Sequence, residues 1–205
     1  MNYIGIDLGT SAVKLLLMRG DGKILKIVSR EYPISFPEPG WSQQEPEDWY
    51  RETIAGLKEL LEGSDRSQVA GISFGGQMHG LVVLDEKDRV IRPAILWNDG
   101  RTAEESEYLN QVVGKETLSK HTANISFAGF TAPKVLWMKK YEPENFARIH
   151  KIMLPKDYLA YRLSGVHSSD VSDASGTLFF DVKNRCWSEE MCEVCGIKRE
   201  WLPKV

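Results

Sequence analysis

The chain has 205 residues, 42% hydrophobic and 27% charged, with a formal net charge of −3. That is enough chain for one large domain with its own core, and the charge balance excludes a basic nucleic-acid surface. No run approaches the roughly 18 apolar residues of a membrane span. The N-terminus opens on a strand pattern without a charged leader, so the sequence predicts no signal peptide, a cytoplasmic setting and reduced cysteines.

The first element is the strand 3–9, where Ile4, Ile6 and Leu8 alternate with Gly5, Asp7 and Gly9. A glycine turn, Gly9-Thr10-Ser11, leads into a second strand, 13–19. Its run Val13 to Met18 is almost all apolar, as for a strand covered on both faces. An acid before the turn, hydroxyls in it and Lys14 after it suit a metal-bound polyphosphate. Gly9 tolerates positive φ and lets a phosphate approach the main chain. Successive N–H groups would form an anion nest, to which Thr10 and Ser11 add donors. Asp7 would hold Mg²⁺, which takes one or two carboxylates plus phosphate oxygens, and Lys14 adds positive charge. An ordinary hairpin turn is the alternative, since Gly, Ser and Asp are common there. Neither a Walker loop nor a G-x-G-x-x-G helix entry is present.

A third strand, 23–31, follows the Asp21-Gly22 hairpin signal. Residues 33–46, rich in Pro and polar side chains, read as a surface loop. Pro46 opens a helix to about Leu61, with Trp49, Ile54, Leu57 and Leu61 on one face. Strands are predicted at 69–74 and 81–84, with a turn over Asp85 to Asp88. Between the two strands lies Gly75-Gly76-Gln77-Met78-His79-Gly80. A lone histidine is more often structural than a ligand. A strand at 94–97 runs into Asn98-Asp99-Gly100-Arg101. Strand ends are where α/β folds place ligands, but Asp99 is equally a good helix cap. Trp97 would sit in the core or pack on a ligand face.

Helices follow at 102–113, 116–120, 132–141, 144–149 and 155–163, then a strand at 176–181 and a short helix at 188–195. Asp157 and Asp173 read as caps or solvated acids. Cys192 and Cys195 form a C-x-x-C pair with no second pair and no spaced histidines. A zinc site therefore lacks ligands, and three reduced thiols on a small helix are expected, Cys186 included. No repeat or linker divides the chain.

Asp7-Leu8-Gly9-Thr10 resembles the first phosphate motif of the actin, heat-shock chaperone and sugar kinase superfamily. Chain-wide segments narrow the resemblance to the FGGY carbohydrate kinases: 71–80, Ile95-Leu96-Trp97-Asn98-Asp99-Gly100-Arg101, 131–137, 154–159 and 172–177, in the family's order. The resemblance implies an α/β, ribonuclease-H-like N-terminal domain with a helical insertion near 102–165. It implies ATP and Mg²⁺ as cofactors, with Asp7 organising the metal and Gly9, Thr10, Ser11 and Lys14 holding phosphates. Gln77, Met78 and His79, with Asn98 and Asp99, would bind the sugar, a ketopentose whose terminal hydroxyl attacks ATP. Met78 would offer an apolar wall and His79 a polar partner for a hydroxyl.

The family's catalytic aspartate lies in a glycine-rich segment that does not occur before Val205. Residues 1–205 therefore read as an incomplete N-terminal sugar-binding domain, with the C-terminal nucleotide domain outside it, and inactive alone. Implied partners are a sugar and ATP, with homodimerisation left open and no nucleic acid or membrane. A free-standing sugar-binding module is the second function class. A family kinase for another ketose or polyol is a further alternative.

Overall fold

The computed structural model describes all residues, Met1–Val205. Three antiparallel strands form a meander: β1 (Asn2–Leu8), β2 (Ala12–Arg19) and β3 (Ile24–Glu31). The predicted turns close it. Gly22 takes φ +88 in the second, the left-handed conformation that an Asp-Gly hairpin needs. The chain then passes through a two-residue strand β4 (Gln43–Gln44) into helix α1 (Pro46–Leu60). Strand β5 (Val69–Gly76) returns beside β1 and parallel to it, giving the order β3-β2-β1-β5. A βββαβ order around one sheet is the arrangement expected of a ribonuclease-H-like domain.

Alternation sets which side of the sheet is covered. Ile4, Ile6, Leu8, Val13, Leu15, Leu17 and Val28 are buried against α1 and its neighbours. On α1 the buried row is Trp49, Thr53, Gly56 and Leu60, with Ile54, Leu57 and Leu61 only half-buried. Small residues at 53 and 56 let the helix lie close on the sheet. Trp49 is buried as expected, and the rest of the stripe lies one position earlier than expected. The opposite face departs further from expectation. Lys14 is exposed and Leu16 half-buried, so β2 is covered on one face only. That open face carries exposed Tyr3 and Ile27.

The remainder builds a second layer. Strand β6 (Val82–Leu84) pairs with β8 (Lys151–Met153), and β4 pairs with β7 (Ala94–Ile95). Helices α2 (Ala103–Tyr108), α3 (Lys115–Thr122), α4 (Thr131–Tyr141), α5 (Pro143–Ala147) and α6 (Pro155–Ser164) occupy the predicted helical region. A π-helical turn over Leu109–Gly114 interrupts the single helix expected at 102–113. Helix α7 (Val171–Ser175), strands β9 (Phe180–Asp181) and β10 (Cys186–Trp187), and helix α8 (Glu189–Cys195) complete the chain. The strand expected at 176–181 shrinks to two residues, because Leu178 takes φ +64 and breaks the extended run. A second apolar core joins Leu81, Ile95, Val135, Trp137, Phe179 and Met191.

All three cysteines are free. Cys192 and Cys195 are buried on α8, but Cys186 is exposed on β10 rather than on the helix. Burial pushes the Cys192 thiol up to about 11 and raises Cys195 as well.

Candidate active site

Two segments define the site, and one register brings them together. Parallel β1 and β5 pair residue for residue from Tyr3↔Gly71 to Leu8↔Gly76. Their C-terminal ends therefore lie side by side. One end releases Gly9-Thr10-Ser11, and the other releases Gln77-Met78-His79-Gly80. The Gln77 N–H donates to Leu8 O across 2.7 Å, fixing the second segment to the strand that carries the first.

In the first segment, Gly9 N–H donates to Ala12 O at 3.0 Å and closes the turn. Gly9 does not adopt the positive φ expected of it. Its need for glycine is steric, because a Cβ there would stand 2.9 Å from Ala12 O. The buried Tyr32 hydroxyl donates to Gly9 O from below. Burial, then the Asp7 charge, holds that phenol well above its usual range. Asp7 is exposed at the end of β1, directly opposite Lys14 on β2. Both line a shallow cavity of about 430 Å³ on the open sheet face, with Gly5, Leu16, Ser73 and Gly75. Nowhere do three or more ligating side chains gather to hold a metal by themselves. Asp7, a single exposed carboxylate beside the glycine turn, fits Mg²⁺, which takes one or two protein carboxylates and completes its shell with phosphate oxygens and water.

In the second segment, His79 takes φ +62, a left-handed conformation uncommon for residues with a Cβ. Three contacts hold it there. Thr131 Oγ1 donates to His79 O at 3.1 Å. The ring lies 4.5 Å from the Phe130 ring. Nδ1 is 3.1 Å from Gly176 O. A carbonyl can only accept, so Nδ1 carries the proton, and Nε2 of the neutral ring is left as an acceptor. Burial first, then the Lys134 charge, pulls the ring below its ordinary 6.5, which favours this neutral form. Met78 beside it is 42% exposed. Gln77 is buried, so it serves the turn rather than offering a surface.

Residues 97–101 divide. Trp97 is 43% exposed, not core, and its Nε1 donates to Thr10 Oγ1 at 3.0 Å. Asn98 is exposed beside it. Asp99 departs from the expectation of sugar contact. Oδ2 accepts from Ser42 N at 2.6 Å and Arg101 Nη2 at 2.7 Å, and Oδ1 accepts from Arg101 N and Nε at 2.9 Å. Both side chains are 0% exposed. Its carboxylate is consumed inside the protein, and Arg101 stacks 3.8 Å from the Trp41 ring. Asp157 is likewise buried, against Lys156 at 2.8 Å, and Asp170, not Asp173, caps α7.

Two further residues shape the site without having been read from the sequence. Lys134 is fully buried and donates to the carbonyls of Ala128, Gly129 and Phe130, just ahead of α4. Burial lowers its ammonium to about 7. Gln44 is 2% exposed and lies between the two segments. The pairing of β4 with β7 puts it there, and only burial distinguishes it from the polar loop around it.

Comparison with known proteins places this geometry. A family model described as "FGGY family of carbohydrate kinases, N-terminal domain" matches residues 2–205. The chain belongs to the FGGY family of carbohydrate kinases. This FGGY domain is 44% identical over 201 residues to the xylulose kinase of Escherichia coli (strain K12), covering 98% of the chain and 41% of that protein. The crystal structure of a "xyloylose kinase" from Brucella ovis superposes with TM-score 0.95 at 40% identity, over 100% of this chain and 43% of that one. A gluconate kinase from Lactobacillus acidophilus reaches TM-score 0.94 at 28% identity, over 99% of this chain and 41% of its own. The FGGY domain thus spans about two-fifths of the length of these relatives. Its fold is shared with kinases named for different sugars, so the fold alone does not select the substrate. No helix is long and apolar enough to cross a membrane.

Proposed function

We propose that the FGGY domain is the sugar-binding part of a cytoplasmic kinase that transfers the γ-phosphoryl group of ATP to the terminal hydroxyl of D-xylulose. The observation that carries this is the register Leu8↔Gly76, which sets the Gly9-Thr10-Ser11 turn and residues 77–80 at neighbouring strand ends. Phosphoryl transfer depends mainly on positioning and charge neutralisation, which such a juxtaposition supplies. Mg²⁺, held beside Asp7, would neutralise phosphate charge. Thr10 and Ser11 would hold the phosphates from the turn that the Gly9 N–H closes onto Ala12 O, Gly9 giving the close main-chain approach, with Lys14 alongside. His79 Nε2 would accept one sugar hydroxyl, and Met78 and Trp97 would bound the sugar with apolar surface. Asn98, exposed next to Trp97 in the chain, would add a polar side chain to the same rim.

The test is a coupled ADP-release assay on the full-length chain with D-xylulose, D-gluconate and glycerol. D-xylulose should give the highest kcat/KM, since a site built for several hydroxyls leaves polar groups unpaired with a shorter polyol. Equal turnover of glycerol and D-xylulose would remove the substrate assignment. Sugar binding without turnover would leave a binding module.

His79→Ala should weaken D-xylulose binding by about 1–3 kcal/mol, because a buried hydroxyl loses its partner. Met78→Ala should cost less, since it removes packing only. The pH dependence has a defined sign. The folded pKa of His79 lies below the unfolded 6.5, so the unfolded chain binds the proton more readily. The stability linked to this ring is complete above about 6.5 and declines as pH falls below it. Protonation also turns Nε2 from acceptor to donor, so affinity should drop as pH falls through the folded pKa, below 6.5. Isothermal titration from about pH 7.5 downward through the acid side of 6.5 checks this, with His79→Ala expected to flatten the profile.

Gly176→Ala tests the support behind the ring. A Cβ there would stand 2.2 Å from His79 Cε1 and 2.5 Å from Nδ1. The ring must move, so D-xylulose affinity should fall about tenfold or more. Unchanged affinity would place the sugar away from His79.

A further inference from the structure

We propose that Gln44 is the positioning residue that ties the phosphate turn to the sugar segment, so that neither can shift alone. The proposal rests on the two-segment site described above and adds a residue that touches neither ligand. Every hydrogen-bonding position of the Gln44 carboxamide has a partner. Nε2 donates to Thr10 O at 2.7 Å and to Pro33 O at 3.2 Å. Oε1 accepts from Trp49 Nε1 at 3.1 Å and from Gln77 Nε2 at 3.3 Å. The partners also fix which way the amide points, since two carbonyls on one side demand the NH₂ there.

Gln77 depends on this contact. Its Oε1 is buried with no partner of its own. The Gln44 acceptor is therefore the side-chain anchor that holds the Gln77 amide. The phosphate turn depends on it too. Trp97 grips only the Thr10 hydroxyl, from an exposed position, whereas Gln44 grips the Thr10 main chain. Gln44, Trp49 and Gln77 are all nearly inaccessible to water. No solvent molecule can readily replace the lost bonds, so removing Gln44 leaves buried polar groups on both segments unsatisfied.

Amide hydrogen exchange of the full-length chain tests this without requiring turnover. In Gln44→Met, exchange in residues 9–11 and 76–80 should quicken together by about tenfold or more, while the β2–β3 ladder keeps its protection. Trp49→Phe removes another donor to the same amide but touches neither segment. It should lower stability and leave both exchange rates unchanged. Gln44→Glu keeps the acceptor for Trp49 and Gln77 and sets an oxygen against Thr10 O and Pro33 O. It should loosen residues 9–11 and spare 76–80. In an active enzyme, Gln44→Met should raise KM for both ATP and sugar, where Trp49→Phe raises neither.

The proposal is overturned if Gln44→Met loosens one segment alone, or if Trp49→Phe loosens both. It is also overturned if neither Gln44 variant folds, since Gln44 is then a fold determinant. Failure of D-xylulose as substrate leaves the exchange result intact, so the two readings fail separately.

Discussion

Asp7→Ala in the full-length enzyme is expected to lower kcat by at least about 10²-fold while D-xylulose affinity holds. Removing one preorganised charge-stabilising group from a transfer site costs on this scale. The separation of effects follows from place. Asp7 stands on the open side of β1, opposite Lys14 and in register with Gly75, whereas His79 points toward Gly176. Steady-state kinetics at varied Mg²⁺ gives the check, and the variant should need more Mg²⁺ for half-maximal rate. Loss of sugar affinity in proportion, with kcat preserved, would move Asp7 out of the phosphate end.

The largest stability effect is expected at Asp99. Asp99→Ala strips the partner from a guanidinium that is 0% exposed and whose Nη1 already lacks an acceptor. Breaking a buried ion pair by removing one member costs about 3–5 kcal/mol. That is a large share of the ~5–15 kcal/mol that holds a typical domain together. Urea unfolding should show the midpoint falling steeply. The double variant Asp99→Leu with Arg101→Met should recover much of the loss, since it removes both charges. Sugar affinity of the folded Asp99→Ala fraction should be near wild type. A small stability loss with abolished binding would restore Asp99 to the sugar site.

The sheet was legible because its signals are local. Alternation of Ile4, Ile6 and Leu8, the Asp21-Gly22 hairpin and Pro46 at a helix start each act within a few residues. The two motifs were equally visible, but their adjacency was not, since it arises from parallel pairing across sixty intervening residues. Burial of polar side chains was the main gap. Gln44, Asp99 and Lys134 look like surface residues in a string of letters. Each is buried because partners distant in sequence satisfy it: Gln77 for Gln44, Ser42 for Asp99, three carbonyls for Lys134. Val13 to Met18 misled in the opposite direction. A run of apolar side chains signals that something covers both faces, yet within these residues only one face is covered.

The left-handed backbone at His79 also limits how this site can change. Glycine, asparagine and aspartate reach φ near +62 at small cost, and β-branched residues do so only with strain. A saturation library at position 79 will therefore be filtered by backbone geometry before any sugar is offered. Valine, isoleucine and threonine should drop out through poor folding, whatever pocket they would have made. Efforts to retune sugar preference have more freedom at Met78, one residue earlier, where the backbone imposes no such filter.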